Sequence, residues 1–140
     1  MSRRRRTWGE EEPDPPHVWH TLGYRHVERA EGSVAIEWDA TEEYAFGDPS
    51  GSIVHGGFVA TLLDTAMGGA AWTVMSDDES FLTADLRVEF FRSARPGTLR
   101  ADGRVVHRTR RIVFCEAELR DTAGTVLASS RCTQIVRANG

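Results

Sequence analysis

The stretch GSIVHGGFVATLLDTAMGGAAWTVM, residues 51–75, decides the fold. Its apolar residues recur every four positions, a pattern typical of a helix that packs one wide apolar stripe on a sheet. Asp64 is the only side chain in this stretch with a formal charge, and His55, Gly56 and Gly57 precede the apolar repeat. We therefore predict a helix of about five turns that carries one carboxylate near its middle.

The opposite face of this helix is small or weakly polar, with Thr61, Asp64, Thr65 and Gly68. A face open to solvent normally carries Lys, Glu and Arg, so we expect this face to be covered, and another subunit is the expected cover. Asp64 is then at least partly buried, which is costly for a carboxylate unless it is hydrogen-bonded or functional. It either bonds neighbouring threonines or a partner-chain amide, or it acts as a nucleophile or general base.

Gly56 and Gly57 lie where the amides of the first helical turn have no intrahelical partner. Such amides suit an anion or a developing oxyanion, although glycine pairs also begin helices for packing reasons alone. His55 either orients the loop through a backbone hydrogen bond or touches a ligand.

Gly56 and Asp64 are eight residues apart, which is roughly 12 Å along a helix axis. An oxyanion donor and a catalytic carboxylate must both lie within roughly 3 to 4 Å of one reacting carbonyl. If both residues are catalytic, the site joins Gly56 of one subunit to Asp64 of another, and a two-fold dimer has two such sites.

The rest of the chain predicts one α+β domain over residues 17–140, in which an antiparallel sheet covers the helix. Residues 1–16, whose charges cancel, are expected to form a disordered tail. Before the long helix we expect a helical turn at 17–24 that ends at Gly23, a strand at 33–40 and a loop at 41–55. After the helix we expect a turn at 76–80. Four strand candidates follow the long helix, at 81–94, 98–109, 111–121 and 125–136.

Composition narrows the classes of function. The net charge of −4 comes from 17 basic and 21 acidic residues, so no broad basic field for nucleic acid is expected. Asp64 and the glycine pairs argue against a membrane span. A secretory signal is not expected either, because no apolar region follows the arginines at positions 3–6. Cys115 and Cys132 are too few for a disulfide framework and lack metal-binding spacing. We expect a cytoplasmic protein with reduced thiols.

The helix segment GSIVHGGFVATLLDTAMG resembles the signature of the hotdog-fold acyl-CoA thioesterases, in the branch of the phenylacetate-pathway and 4-hydroxybenzoyl-CoA enzymes. FLTADLRVEFFRSARPG resembles the strand that follows the helix in this family, and GRVVHRTRRIVFCEAELRDTAGTVLASSRCT its closing hairpins. The resemblance covers about residues 20–136.

The resemblance implies a sheet of about six antiparallel strands around the central helix, in homodimers that often form homotetramers. It also implies hydrolysis of an acyl-CoA thioester without a metal or cofactor. The Gly56 N–H would polarise the carbonyl, Asp64 of the partner chain would be nucleophile or general base, and Thr83 would position the water or the carboxylate. His55 and Gly57 would border the substrate.

Coenzyme A carries phosphates, and a cluster of arginines at a predicted turn is a candidate site for them. Arg108, Arg110 and Arg111 form this cluster. Exposed arginines at a hairpin are also commonly just solvated.

One position departs from the family. Many relatives have Asn followed by Pro a few residues before the helix, whereas this chain has Asp48 and Pro49. A second negative charge beside Asp64 would repel the forming oxyanion. We therefore predict that Asp48 turns outward and bonds the amides of its own loop as an Asx turn.

Two other functions compete with thioester hydrolysis. A catalytically silent hotdog protein could bind acyl-CoA as a sensor, and a hotdog dehydratase would use an Asp and His pair arranged differently from HGGFVATLLD. Acyl-CoA substrates and a thiol reagent distinguish the three.

Overall fold

The computed structural model describes residues 15–139, so the predicted tail lies almost entirely outside the described residues. Neither helix within this range is both long and apolar enough to cross a membrane. The elements in chain order are α1 (His17–Leu22), β1 (Arg25–Ala30), β2 (Ser33–Ala40), a 3-10 turn (Glu42–Tyr44), β3 (Ala45–Asp48), β4 (Gly51–Val54), α2 (Gly56–Trp72), β5 (Glu79–Phe90), β6 (Gly97–Arg108), β7 (Ile112–Arg120) and β8 (Val126–Ala138).

Six strands form one antiparallel sheet in the order β1-β2-β6-β7-β8-β5, and β3 pairs with β4 as a separate hairpin. Helix α2 packs against five of the six strands, β2, β5, β6, β7 and β8. A sheet around one long helix is the predicted hotdog architecture, which is confirmed.

Helix α2 lies against the sheet because its apolar stripe has to be buried. Each fully buried Leu contributes about 2 kcal/mol relative to an exposed one. The two backbones approach closely at Gly103 on β6, where a Cβ atom would lie 2.4 Å from the Ala66 carbonyl oxygen. The buried residues of α2 are Val59, Leu62, Leu63, Ala66, Met67, Ala70 and Ala71.

Two predictions from the chain need correction. The stretch 41–55 is not a plain loop, because it contains the 3-10 turn and the β3–β4 hairpin. These strands have four residues each, and the glycines and proline among them hide the alternation of a strand. Strand β1 was not predicted, since most of its side chains are exposed and it has little apolar patterning.

A β-bulge in β5 decides which side chains face α2. The register shifts between Thr83 and Asp85, so that Thr83 pairs with Gln134 and Leu86 pairs with Cys132. Gln134 and Cys132 are both buried on the inner face. Because paired residues share a face, the extra residue Ala84 lets both Thr83 and Leu86 point inward. Strict two-residue alternation alone could not decide which side of the sheet Thr83 faces, because it takes no account of this bulge.

Candidate active site

Asp64 lies near the middle of α2 and is partly buried, as predicted. The bulged strand β5 passes beside it, and the Thr83 hydroxyl donates a hydrogen bond to Asp64 Oδ1 at 2.9 Å. A carboxylate that accepts from one fixed hydroxyl keeps its second oxygen available for a substrate. The structure therefore brings together two of the predicted site residues.

A pocket of 390 Å³ opens beside Asp64 and Thr83. Gly68 and Gly69 of α2 form part of its lining, so the space is not filled by helix side chains. Its walls are mostly apolar and include three aromatic side chains, Trp19, Trp72 and Phe81. A carboxylate at the edge of such a pocket can meet an apolar ligand that carries one polar reacting group.

The start of α2 is capped by His55. Its Nδ1 accepts a hydrogen bond from the Gly57 N–H at 3.2 Å, and its own N–H donates to the Tyr44 carbonyl at 2.8 Å. His55 therefore orients the start of the helix through a backbone hydrogen bond, the first of the two roles considered for it. This bond also engages the Gly57 N–H. Contact of either residue with a substrate remains a prediction.

The Gly56 amide is different. Among residues 15–139 it has no hydrogen-bond acceptor, so its N–H is available for a ligand. The Phe90 ring packs beside it, and a Cβ atom at Gly56 would lie 3.3 Å from that ring. Gly56, Phe90 and Phe91 line a second pocket of 300 Å³. Glycine at this position thus leaves room for the Phe90 ring beside the start of the helix.

Gly56 and Asp64 belong to one unbroken helix. At 1.5 Å per residue they are roughly 12 Å apart along the axis, so they cannot contact one carbonyl within a single chain. Each residue lines a pocket of its own.

Arg108 is already engaged in the structure. Its guanidinium donates to Glu79 Oε2 at 2.7 Å and to the Val74 carbonyl. Burial alone would raise the pKa of Glu79, but hydrogen bonds from Ser76 and Arg108 outweigh it and lower the pKa to about 2. Arg108 thus ties the residues after α2 to β5 and β6. Arg110 and Arg111 lie in the exposed turn between β6 and β7, and their contact with phosphates stays a prediction.

Asp48 makes the predicted Asx turn. Its Oδ1 accepts from the Ser50 N–H at 2.7 Å and also from the Ser50 hydroxyl. These bonds, with the nearby Arg95, lower the pKa of Asp48. The carboxylate is directed to its own loop, as the sequence predicted.

Gln134 is a site residue that sequence reasoning missed. It lies on β8 with no exposed surface, and its Oε1 is 3.0 Å from the Thr83 hydroxyl oxygen. Its neighbours at two-residue spacing, Cys132 and Val136, are buried as well. A polar residue at an inward position of a strand was the signal that could have found it.

Comparisons with known proteins agree with this architecture. The sequence profile of the thioesterase superfamily matches residues 51–132. A phenylacetic acid degradation-related protein of Ralstonia eutropha JMP134 superposes with a TM-score of 0.79 at 27% identity, over 88% of this chain and 92% of that one. A thioesterase family protein of Silicibacter pomeroyi gives 0.79 at 25% identity, over 89% and 90%. A protein of Saccharolobus solfataricus named as an esterase is 24% identical over 81% of this chain and 78% of its own length.

Proposed function

Since the chain belongs to the thioesterase superfamily and is a thioester hydrolase, we propose that its substrate is an acyl-CoA with an aryl or medium-chain acyl group. The observation that carries this proposal is the pair of Asp64 and Thr83 at the edge of a 390 Å³ apolar pocket. The pocket would receive the acyl group and bring its thioester carbonyl to the free oxygen of Asp64. A volume of this size is within the ordinary range for small-molecule sites.

The chemistry needs an oriented attacking group and a donor to the carbonyl oxygen. Asp64 either attacks the carbonyl carbon or removes a proton from an attacking water. In the first case the thiolate of coenzyme A leaves, and water then hydrolyses the mixed anhydride. In the second case the hydroxide adds and the same thiolate leaves. Both routes release a free acid and coenzyme A, and in both the Gly56 N–H stabilises the oxyanion.

The two catalytic groups are brought together by a second subunit. Strand β5 ends the sheet, and three of its apolar side chains are well exposed, Leu82 at 59%, Leu86 at 39% and Phe90 at 54%. A long apolar edge strand has unpaired backbone N–H and C=O groups and readily pairs with another strand. Two copies of β5 that pair antiparallel about Leu86 and Arg87 place Phe90 of one chain opposite Thr83 of the other. Phe90 lies beside Gly56 and Thr83 beside Asp64, so this homodimer completes two sites.

A larger assembly and a binding surface for coenzyme A complete the proposal. A homotetramer would pair two such dimers. Arg110 and Arg111 are exposed and positively charged, which suits the phosphates of coenzyme A. Arg108 is the weakest member of the predicted set, because its guanidinium already bonds Glu79 and Val74.

The decisive experiment replaces Asp64 by Asn. We expect hydrolysis of a panel of acyl-CoAs, followed by a thiol reagent, to fall by at least about 100-fold, the scale of a nucleophile or general base. The oligomer should survive, as judged by gel filtration with light scattering. Asp39→Asn is the matched control, because Asp39 is an exposed acid that pairs with Arg25 on the sheet.

Other outcomes distinguish the competing functions. Retained activity in Asp64→Asn would return Asp64 to a structural role. A parent protein that binds acyl-CoA without releasing thiol would be a sensor. Loss of water from a hydroxyacyl-CoA without thiol release would identify a dehydratase.

A further inference from the structure

The Thr83 hydroxyl faces two acceptors at once. Its oxygen lies 2.9 Å from Asp64 Oδ1 and 3.0 Å from Gln134 Oε1. A hydroxyl carries a single hydrogen, so it cannot donate fully to both oxygens. Which acceptor receives this hydrogen decides whether Asp64 is supported as a charged carboxylate.

Gln134 controls that choice because its amide has two different ends. With Oε1 towards Thr83, Nε2 lies 3.3 Å from Cys132 Sγ, a weak acceptor. A half-turn of the amide exchanges the ends at almost unchanged shape. Nε2 then donates to the Thr83 oxygen, and the Cys132 thiol donates to Oε1. In this orientation the Thr83 hydrogen has one acceptor left, which is Asp64.

The two orientations match the two forms of Asp64. When Oε1 faces Thr83, Gln134 and Asp64 compete for the single hydroxyl hydrogen, and if Gln134 receives it, only a protonated Asp64 can complete the contact by donating to Thr83. When Nε2 faces Thr83, every donor points towards Asp64, which suits the charged carboxylate. Gln134 is fully buried, so water does not reach its side of the contact with Thr83. A fully buried amide needs hydrogen-bond partners, so the orientations of the Gln134 amide and the Thr83 hydroxyl are coupled.

We propose that Gln134 is a positioning residue that acts through Thr83: its amide nitrogen holds the Thr83 hydroxyl so that the hydroxyl hydrogen points to the charged Asp64. Asp64 is thereby kept in the orientation in which its other oxygen meets the substrate. This inference rests on the proposed catalytic role of Asp64. It adds a residue on β8, 70 positions further along the chain, to the machinery of the site.

The first test measures kcat and KM of Gln134→Met, Thr83→Val and the double variant. Gln134→Met keeps the length of the side chain but removes both amide groups. We expect kcat to fall about 5-fold in Gln134→Met and about 20-fold in Thr83→Val, with KM within about 2-fold of the parent in both. In the Thr83→Val background, Gln134→Met should have no further effect, because its partner is absent.

The second test uses Gln134→Glu and the pH profile of kcat. A carboxylate at this position accepts the Thr83 hydrogen and adds a negative charge near Asp64, which disfavours ionisation of Asp64. The acidic limb of the profile should move up by about one pH unit. Other titratable or charged groups around the site are His26 and Arg29 on β1, Asp85 on β5 and Cys132 on β8. They are shared by parent and variant, so the difference between the profiles reports on position 134.

Ser130→Ala is the matched control. Ser130 is a buried polar residue on the same face of β8, where its hydroxyl contacts Met67 Sδ at 3.7 Å. Its replacement disturbs the strand to a similar extent without touching Thr83, so the acidic limb should stay in place. Thr83→Ser, which retains the hydroxyl, should recover most of the kcat that Thr83→Val loses.

The inference is overturned by either of two results. One is a Gln134→Met effect on kcat that is equally large with and without Thr83→Val. The other is a parental kcat and an unmoved acidic limb in Gln134→Glu. The two variants are independent, so loss of folding in one still leaves the other decisive. These results differ from failure of the proposed function, which is an active Asp64→Asn enzyme.

Discussion

The carboxylate of Asp48 accepts two hydrogen bonds from Ser50 within its own loop. Its negative charge is therefore balanced locally, and Arg95 donates to the same serine hydroxyl at 2.8 Å. The family resemblance suggested an amide at this position, facing the substrate. The geometry instead places an acid that serves the β3–β4 hairpin.

We predict that Asp48→Asn leaves kcat within about 3-fold of the parent, because an outward side chain contributes well under 1 kcal/mol to the barrier. The pH profile of kcat should also stay in place. Steady-state kinetics across the pH range check both expectations. A large gain in rate, or a profile displaced by a pH unit or more, would place Asp48 at the reacting carbonyl.

Thr83 and Gln134 mark the limit of prediction at the residue scale. The family resemblance was sufficient to propose Thr83, but strict two-residue alternation could not decide its facing, because the bulge at Ala84 depends on pairing with β8. Gln134 was missed because its partner Thr83 lies on another strand, 51 positions away in sequence.

At the scale of elements, the ion pair between the buried Glu79 and the half-buried Arg108 joins the start of β5 to the end of β6. The pKa of Glu79 is lowered from 4.5 to about 2. Its contribution to stability is therefore fully present above about pH 4.5 and is lost as the pH falls through about 2.

We predict that Glu79→Gln destabilises the protein by about 3 kcal/mol at pH 7, because it leaves Arg108 with an uncompensated charge. The difference from the parent should shrink as the pH falls below about 4. Urea unfolding at pH 7 and pH 3 measures both values. Arg110→Gln is the control for stability, since Arg110 is exposed. A Glu79→Gln protein with parental stability at pH 7 would contradict the assignment.

The long elements were predictable and the short ones were not. Helix α2 has an apolar residue at nearly every position that faces the sheet, and β2 alternates Val34, Ile36 and Trp38 over its buried face. Such patterns arise from burial along one continuous segment. The hairpin of β3 and β4 has four residues in each strand, and its Val54 N–H donates to the Ala94 carbonyl, a contact that the local sequence does not reveal.

At the scale of the whole molecule, the proposed site is divided between two chains. The sequence predicted this division from the spacing of Gly56 and Asp64, and the unbroken helix α2 confirms the spacing. The pairing of subunits remains a proposal, because the surface of a single chain shows an interface only indirectly, as exposed apolar side chains.

We predict that two inactive variants restore activity when they exchange subunits. Asp64→Asn chains retain an intact Gly56, and Gly56→Val chains, in which the added side chain meets Phe90, retain an intact Asp64. Each heterodimer then has one complete site. An equal mixture should recover about a quarter of the parental activity, since half of the dimers are mixed and each has one of two sites. Exchange is verified by native mass spectrometry, and no recovery after exchange would exclude a shared site.

Strand β5, with its exposed edge and the exposed side chains of Leu82 and Phe90, has a consequence for dilute protein. If each active site needs two chains, dissociation removes catalysis and leaves this edge unpaired at the same time. Specific activity then falls on dilution by mass action, whereas bound substrate shifts the balance back towards the assembled form. A newly made subunit has the same exposed strand, so dimerisation with a second copy competes with aggregation until β5 is paired.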